Sequence, residues 1–317
     1  DLWPVDIRRF GKPHQDLEWV RKRTYEAYAK HYTMAWPFEE HSSGRNYQTS
    51  PIFDDLTKAK ACFGEKLGWE RPNWFAPKST EPKDVYSFDR QNWFKVVGEE
   101  VKATREKAVL IDQTSFAKFL ISGSESLKAL EYICANNINK PVGSTIYTQM
   151  LNHHGGIECD VTITVIDKNT FYLVTGTGFM THDLNWISAN IPNGMDVKIK
   201  NITYENSVFS LMGPNSREIL QGLTESDLSN DKFPFATYQK IKLGHLEINA
   251  IRITYMGELG WELHFPISQA KEVYDKLMNY GKKFGLINAG YRCIESCRLE
   301  KGYRAWGSDI GPDHTPL

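Results

Sequence analysis

The sequence lacks the features that identify membrane and nucleic-acid-binding proteins. It has no apolar run near the ~20 residues that a membrane-spanning helix needs. Lys plus Arg (38) nearly balance Asp plus Glu (39), and the formal net charge is −1. With this balance, the chain as a whole has no positive potential that would attract nucleic acid or an anionic membrane surface. The charged, Trp-containing opening residues also do not resemble a signal peptide. We therefore expect a soluble intracellular protein that binds neither nucleic acid nor membrane.

Cysteine motifs and phosphate-binding loops are missing as well. The five cysteines are scattered and form no CxxC. Cys293 and Cys297 are spaced to share a helix face, but no second Cys or His pair completes a zinc set. We expect reduced, mostly buried thiols and predict no metal. The absence of GxGxxG and GxxxxGK[ST] leaves no visible dinucleotide fold or P-loop.

The first 78 residues differ in composition from the rest. The stretch 19–32 has helical spacing, and one predicted face carries aromatic and small side chains: Val20, Tyr25, Tyr28, Ala29 and Tyr32. Irregular pieces rich in Trp, Tyr and Pro surround it. We interpret residues 1–78 as a segment that packs onto another surface, and 77–84 (PKSTEPKD) as a linker.

From residue 86 onward the pattern mixes strands and helices. Strands are predicted at 117–123, 170–176 and 246–255 from their β-branched and aromatic content. Helices are predicted at 124–137, N-capped by Ser124, at 268–285, N-capped by Ser268, and at 288–302. These elements alternate without a regular βαβ period. We therefore predict an α+β fold with mixed or antiparallel sheets and packed helices.

Asp160 is the first candidate for chemistry. It follows the Gly155–Gly156 pair, where a strand begins. It is either a turn residue, a metal ligand or a partly desolvated carboxylate with a raised pKa that handles a proton. The metal reading is weakened because His153 and His154 would point apart on an extended chain.

Glu262 and Arg292 are the second and third candidates. Gly257 and Gly260 permit a tight turn that leads into a strand carrying Glu262, which is either a solvated edge residue or a carboxylate that binds ligand N–H groups. We expect Glu262 and His264 on opposite faces of that strand. Arg292 is predicted near a helix start, where the macrodipole disfavours a cation, and this placement indicates an anionic partner.

Four motifs resemble the folate-binding aminomethyltransferase family, typified by the T-protein of the glycine cleavage system. They are YTQMLNHHGGIECD (147–160), SLMGPNSREIL (210–220), TYMGELGWE (254–262) and INAGYRCIESCRLEKGYRAWGSD (287–309). Earlier segments resemble the connecting region between the flavin and folate domains of sarcosine and dimethylglycine dehydrogenases: DIRRFG, YEAYAKHY, GRNYQTSP and GWERPNWFAP. GLINAGYR and EKGYRAW are closer to the sarcosine enzyme.

This resemblance implies a T-protein fold at residues 86–317, preceded by a connecting region at residues 1–85. It implies an FAD domain in the full-length protein and a small C-terminal β-barrel, and neither is recognisable in this chain. We therefore expect part of a longer flavoprotein that does not itself oxidise an N-methyl amine. Its place would be the bacterial cytoplasm or the mitochondrial matrix.

The resemblance also implies roles for single residues. Asp160 matches the catalytic Asp, and the matches to the folate pocket are Tyr147, Tyr255, Glu262 and Arg292, with Glu258 and Trp306 nearby. The implied ligand is tetrahydrofolate, which captures the one-carbon unit of an N-methyl amine as 5,10-methylenetetrahydrofolate. The alternatives are a partner protein related to the regulatory subunit of pyruvate dehydrogenase phosphatase, and a flavin-independent tetrahydrofolate-dependent aminomethyltransferase or demethylase.

Overall fold

The computed structural model describes residues 5–317, which contain three β-sheets and several packed helices. The α-helices are α1 (Leu17–Ala29), α2 (Phe53–Lys58), α3 (Phe94–Glu106), α4 (Ser126–Ile133), α5 (Met180–Asn190), α6 (Ser216–Gln221), α7 (Ala270–Gly281) and α8 (Tyr291–Glu300). None of the helices in residues 5–317 combines the length and the apolar character that crossing a bilayer requires.

The strands are distributed over the whole chain. They are β1 (Ala61–Lys66), β2 (Trp69–Phe75), β3 (Ala108–Asp112), β4 (Ala117–Ser122), β5 (Thr145–Leu151), β6 (Ile157–Asp167), β7 (Thr170–Thr175), β8 (Lys198–Asn201), β9 (Asn206–Met212), β10 (Thr237–Leu243), β11 (Leu246–Arg252), β12 (Gly260–Pro266) and β13 (Leu286–Asn288).

Two large sheets form the body of the molecule. The six-stranded sheet has the order β10-β11-β12-β9-β3-β13. Strands β3 and β13 pair in parallel, and the other neighbouring strands of this sheet pair antiparallel. The five-stranded sheet has the order β5-β6-β7-β4-β8 and is antiparallel. A separate hairpin joins β1 and β2. The predicted α+β class with mixed and antiparallel sheets is therefore confirmed.

The alternation of side chains shows which sheet faces meet. On β6, Cys159, Val161 and Ile163 pack with residues of α4 and α5 on the outer side of the five-stranded sheet. On the other side of that sheet, Tyr172 packs in one cluster with Ile251 of the six-stranded sheet. Because successive strand residues alternate between faces, Asp160, Thr162 and Thr164 of β6 point toward the inter-sheet space.

Several predicted boundaries were correct and others were wrong. Strands β4 and β7 lie where the sequence placed them, whereas β11 ends at Arg252 rather than at residue 255. Ser124 is not the N-cap of α4, because its hydroxyl donates to Asp196 (2.7 Å) and the helix begins at Ser126. Ser268 lies in a 3-10 turn before α7 and does not cap it.

The first part of the chain leaves exposed the tyrosines that the sequence predicts to pack onto another surface. Helix α1 is present, but Tyr25, Tyr28 and Tyr32 are exposed, and Trp19 is its buried residue. Residues 77–84 contain no helix or strand, yet Asp84 at their end is bound by Trp74 and Arg292. The five cysteines form no disulfide, and four of them are buried.

Candidate functional site

Asp160 lies within β6, two strand positions beyond Glu158, and not in the preceding turn. The turn is formed by Asn152, whose side chain accepts from the backbone N–H of His154 and Gly156. The turn interpretation of Asp160 was therefore wrong. The expectation for the histidine pair was also wrong, since the rings of His153 and His154 lie 3.8 Å apart because this stretch turns instead of extending.

The carboxylate of Asp160 is held in a poorly solvated place. Burial raises its pKa to about 6, and the nearby negative charge of Asp183 adds to this effect. The side chains of Tyr147 and Gln149 oppose the rise by stabilising the ionised form. Oδ1 is buried and has no hydrogen-bond partner within residues 5–317. Such a group can hold or release a proton near neutral pH.

Strand register brings Tyr147 and Gln149 to Asp160. Gln149 of β5 lies directly opposite Asp160, and Tyr147 is two residues further along the same face. Burial and the charge of Asp160 together raise the pKa of Tyr147, although its ring stays half exposed. Sequence reasoning did not identify Gln149, since cross-strand register is not readable from spacing alone.

Tyr255 reaches the same place from the loop between β11 and β12. Its hydroxyl donates to the carbonyl of Arg304 (2.8 Å), and its ring stacks on Tyr303 at 6.1 Å. Burial raises the pKa of Tyr255 to about 12, and Asp160 contributes to that rise. The structure thus places Tyr147, Asp160 and Tyr255 near one another, and their roles toward a ligand stay a prediction.

Glu262 lies in the middle of β12, which runs between β11 and β9. The edge-strand interpretation was wrong, because Glu262 has Ile251 on one side and Ser210 on the other, and it is buried. Its Oε2 lies 3.4 Å from Nε2 of His264. The expectation that these two residues occupy opposite faces was also wrong, since residues i and i+2 of a strand share a face.

The face of β12 that carries Glu262 points away from the helices. Trp261, Leu263 and Phe265 pack in the core with α6 and α7, so Glu262 projects on the inner side of the six-stranded sheet. Asp160 projects from the inner side of the five-stranded sheet. Two carboxylates, one from each sheet, therefore face the inter-sheet space: Glu262 is buried, and Asp160 is partly buried.

The chain after α8 closes one end of this region. Trp306 donates Nε1–H to the carbonyl of Ile157 (2.7 Å), just before Asp160 on β6. Arg298 forms ion pairs with Glu295 and Asp309 and donates to the carbonyl of Tyr303 (2.9 Å). Trp306 is thus a supporting residue next to the site. Arg298 was not among the candidates, because its role depends on this fold-back.

Glu258 and Arg292 have partners elsewhere. Glu258 accepts from Arg105 Nη1 at 2.9 Å. Arg292 makes a bidentate ion pair with Asp84 and lies 3.5 Å from the centre of the Trp93 ring. The anionic partner that its position indicated is thus a carboxylate of this chain. This ion pair uses one N–H of Nη1 and one N–H of Nη2, and the contact of Arg292 with folate stays a prediction.

A second polar group lies behind Asp160. The donor atoms of Cys159, His182 and Asp183 all lie within 4.8 Å of one another, and the three residues are buried. His182 Nδ1 is 2.8 Å from an Asp183 oxygen, and Thr175 donates to the other oxygen. His182 and the Thr175 hydroxyl each contact one oxygen of the Asp183 carboxylate. The group is therefore a cluster of hydrogen bonds that packs against β6. Sequence reasoning missed it, since Asp183 is distant from Asp160 along the chain.

Comparison with known proteins agrees with this architecture. The GCVT N-terminal domain matches residues 52–317, which is most of the chain. This chain belongs to the GCVT family. The FAD dependent oxidoreductase central domain matches residues 1–50. The division at residue 85 made from the sequence stays a prediction.

The similar proteins are much longer than this chain. It is 35% identical to sarcosine dehydrogenase of Mus musculus, over 100% of this chain and 39% of that protein. It is 37% identical to dimethylglycine dehydrogenase of Rattus norvegicus, over 100% of this chain and 37% of that protein. The regulatory subunit of pyruvate dehydrogenase phosphatase from Mus musculus is 32% identical, with 100% and 37% covered. The family predicted from the four motifs is confirmed.

The fold is also similar to a solved structure. The crystal structure of glycine cleavage system aminomethyltransferase T from Bartonella henselae superposes with a TM-score of 0.71 at 23% identity, covering 86% of this chain and 67% of that one. The predicted T-protein fold is therefore confirmed.

Proposed function

We propose that this GCVT-family chain binds tetrahydrofolate between its two large sheets and captures a one-carbon unit there. In the longer protein, that unit would come from flavin-dependent oxidation of an N-methyl amine such as sarcosine or dimethylglycine. The product would be 5,10-methylenetetrahydrofolate. The observation that carries the proposal is a pair of carboxylates that project from facing sheets. Glu262 is buried, and Asp160 is partly buried, with Tyr147 and Tyr255 beside it.

Glu262 fits a ligand that presents adjacent N–H groups, as a pterin does. Within residues 5–317, His264 is the one side chain whose N–H lies near its carboxylate, at 3.4 Å. The carboxylate therefore keeps acceptor capacity for two parallel N–H donors. Charge-assisted pairs of this kind are among the stronger hydrogen bonds and fix orientation as well as affinity.

Asp160 fits the proton handling that capture of a one-carbon unit requires. A bound tetrahydrofolate would supply N5 and N10 as nucleophiles. If the one-carbon unit is formaldehyde, the methylene bridge replaces the hydrogens of N5 and N10, and both hydrogens leave with the carbonyl oxygen as water. A carboxylate with a pKa of about 6 can accept a proton and return it within such a step near neutral pH. Its buried, unpaired Oδ1 is the acceptor atom for this step. Tyr147 and Tyr255 would line the pocket.

Residues 1–85 would connect the folate-binding part to a flavin domain that carries FAD. The match of residues 1–50 to the FAD dependent oxidoreductase central domain supports this assignment. Large apolar side chains are also exposed there, including Leu17, Tyr32 and Met34. Exposed apolar surface of this kind is typical of an interface. We assign no residue of this chain to FAD.

The regulatory-subunit alternative is favoured by one similar protein. It predicts a chain that keeps the fold without using Asp160 and Glu262 for binding. A flavin-independent aminomethyltransferase is a further alternative, and it assigns no purpose to residues 1–85.

The test is calorimetric titration of this chain with tetrahydrofolate under reducing conditions. Wild type, Glu262→Ala and Asp160→Ala would be compared with Glu247→Ala, which removes an exposed carboxylate from the neighbouring β11. We expect binding that is lost in Glu262→Ala and retained in Glu247→Ala. Asp160→Ala should remain folded and, in the complete flavoprotein, form less methylenetetrahydrofolate.

Each outcome separates the candidate functions. Equal binding by wild type and Glu262→Ala would contradict the assigned pterin site. No binding by any variant would favour the regulatory alternative. An unchanged yield of methylenetetrahydrofolate with Asp160→Ala would contradict its catalytic role.

A further inference from the structure

A chain of polar contacts crosses from one large sheet to the other beneath Glu262. The hydroxyl of Tyr172 on β7 lies 3.0 Å from Nδ1 of His264 on β12. Nε2 of the same imidazole lies 3.4 Å from Oε2 of Glu262. All three side chains are buried, and His264 is only 1% exposed.

The contacts decide where the imidazole carries its proton. Burial lowers the pKa of His264, which favours a neutral ring with a single N–H. If Nδ1 carried that proton, the lone pair of Nε2 would face the Glu262 carboxylate. If Tyr172 donates to Nδ1, Nε2–H points at Glu262 and both contacts are attractive. The second tautomer is therefore favoured, since the partner of one ring nitrogen sets the state of the other.

Nε2 of His264 has no well-formed hydrogen bond in the described chain. The 3.4 Å contact with Glu262 is longer than a normal N–H···O bond. Within the described residues, no other acceptor lies within hydrogen-bond distance of this buried nitrogen. A buried donor without a well-formed hydrogen bond lowers the stability of the fold, because it has lost its contact with water. Buried donors of this kind call for an explanation. A role toward a ligand of Glu262 would provide it.

Other groups around the imidazole do not replace this contact. Lys118 of β4 is the nearby cation, and its Nζ donates to the carbonyls of Thr114 (2.8 Å) and Asn206 (2.7 Å). It therefore does not form an ion pair with Glu262. Among the described residues, His264 is thus the basic side chain in contact with the Glu262 carboxylate.

We propose that Tyr172 and His264 are a positioning pair that fixes the Glu262 carboxylate for the N–H pair of a pterin. Tyr172 sets the tautomer in which Nε2–H of His264 faces Oε2, and this attractive contact at 3.4 Å favours one orientation of the carboxylate toward the ligand. This inference rests on the proposed function and names the residues through which the Glu262 site is preorganised. Neither Tyr172 nor His264 touches the ligand in it.

The first experiment is a double-mutant cycle measured as tetrahydrofolate affinity by calorimetry. Tyr172→Phe removes one hydroxyl and keeps the ring. We expect it to weaken affinity about tenfold in the wild-type background, which is at the upper end of the net value of a hydrogen bond between neutral groups. We expect no further loss in a Glu262→Gln background. Tyr238→Phe is the matched control, because it removes a hydroxyl that bonds Asn249 (2.8 Å) in the same inter-sheet cluster.

The second experiment does not depend on folate. Long-range ¹⁵N–¹H correlation spectra of the full chain report which nitrogen of His264 is protonated. We expect the Nε2–H form in wild type and in Tyr238→Phe, and a shift toward Nδ1–H in Tyr172→Phe. An Nδ1–H form in wild type would overturn the positioning pair whatever the ligand is.

The outcomes distinguish the two proposals. If Glu262→Gln leaves affinity unchanged while the Nε2–H form is present, the pterin role of Glu262 fails and the inference fails with it. If Glu262→Gln weakens binding but Tyr172→Phe weakens it equally in both backgrounds, or not at all, the positioning pair alone is overturned. Loss that is confined to the background with intact Glu262 supports both.

Discussion

Arg292 and Asp84 form a bidentate ion pair in which Nη1–Oδ1 and Nη2–Oδ2 are both 2.8 Å apart. The pair joins the start of α8 to the end of the segment predicted as a linker. Both side chains are mostly buried, and Trp74 donates to the same carboxylate at 2.8 Å. The contact fixes the early part of the chain to the helix that precedes the closing segment of the site.

The first prediction concerns this pair. Arg292→Met should lower the free energy of unfolding by about 3–5 kcal/mol, because it leaves the buried Asp84 carboxylate without its cation. Adding Asp84→Asn should recover part of that loss, measured by urea unfolding. At urea concentrations below the unfolding transition, the single variants Arg292→Met and Asp84→Asn should each bind tetrahydrofolate as tightly as wild type. A loss of affinity in Arg292→Met that Asp84→Asn does not share would instead support the direct folate contact implied by the family resemblance.

Strand content was the most predictable part of the fold. In β4 and β7, β-branched and aromatic residues pack on both faces between neighbouring strands, so the local pattern and the tertiary environment agree. The helix starts at Ser124 and Ser268 failed for the opposite reason. Each serine is a good N-cap locally, but Asp196 takes the hydroxyl of Ser124, and a 3-10 turn precedes α7.

The sequence allowed prediction of the candidate-site residues that lie within recognisable motifs, but not of those that strand register alone places there. Tyr147, Asp160 and Tyr255 could be named from the sequence because each lies in one of the four family motifs, whereas the register of β5 and β6 and the loop before β12 place them near one another. Gln149 and the pair of Tyr172 and His264 depend on strand register and on how the sheets face each other. Sequence spacing alone does not contain that information.

The second prediction concerns the pH dependence caused by Asp160. Its pKa in the folded chain is raised to about 6, so the folded state binds more protons than the unfolded state between about pH 4 and pH 6. Stability from this group is therefore fully present at low pH and is lost as pH rises through about 6. Asp160→Asn should raise the free energy of unfolding by about 1–3 kcal/mol at pH 8 and by much less at pH 4.

The measurement is urea unfolding of wild type and variant at both pH values. Asp231→Asn is the control, because Asp231 is exposed. Burial raises the pKa of Glu100 to about 7, and this adds a slope of the same sign in every variant. The test is therefore the difference between variant and wild type. A difference that is the same at pH 4 and pH 8 would contradict the raised pKa of Asp160.

The third prediction separates the two glycines before β6. A Cβ added at Gly156 would lie 1.9 Å from the carbonyl oxygen of Pro312, whereas one at Gly155 meets nothing closer than Thr315 Cγ2 at 3.8 Å. Gly156→Ala should therefore displace the chain near Pro312, at a cost of about 1–3 kcal/mol. Gly155 has φ +83°, so Gly155→Ala should cost about 1–2 kcal/mol through backbone strain alone.

Hydrogen exchange distinguishes these two mechanisms. The amide of Ile157 donates to the carbonyl of His314 (3.0 Å), so displacement near Pro312 should expose it. We expect faster exchange at Ile157 in Gly156→Ala than in Gly155→Ala, when the two are compared at equal global stability. Equal exchange rates would show that the closing segment tolerates the added methyl group.

The last prediction concerns Glu100, whose carboxylate joins three elements. Oε1 accepts from the backbone N–H of Phe75 on β2 (2.8 Å), and Oε2 accepts from Gly290 at the N-cap of α8 (3.0 Å). Glu100→Ala leaves both donors without an acceptor, and each such loss costs about 1–3 kcal/mol when buried. We expect a loss of about 2–4 kcal/mol in urea unfolding for the variant. The neighbouring Glu99→Ala is the control, because Glu99 is exposed. A Glu100→Ala variant as stable as Glu99→Ala would mean that water satisfies both donors, and the hairpin β1–β2 would then be held to α8 by other contacts.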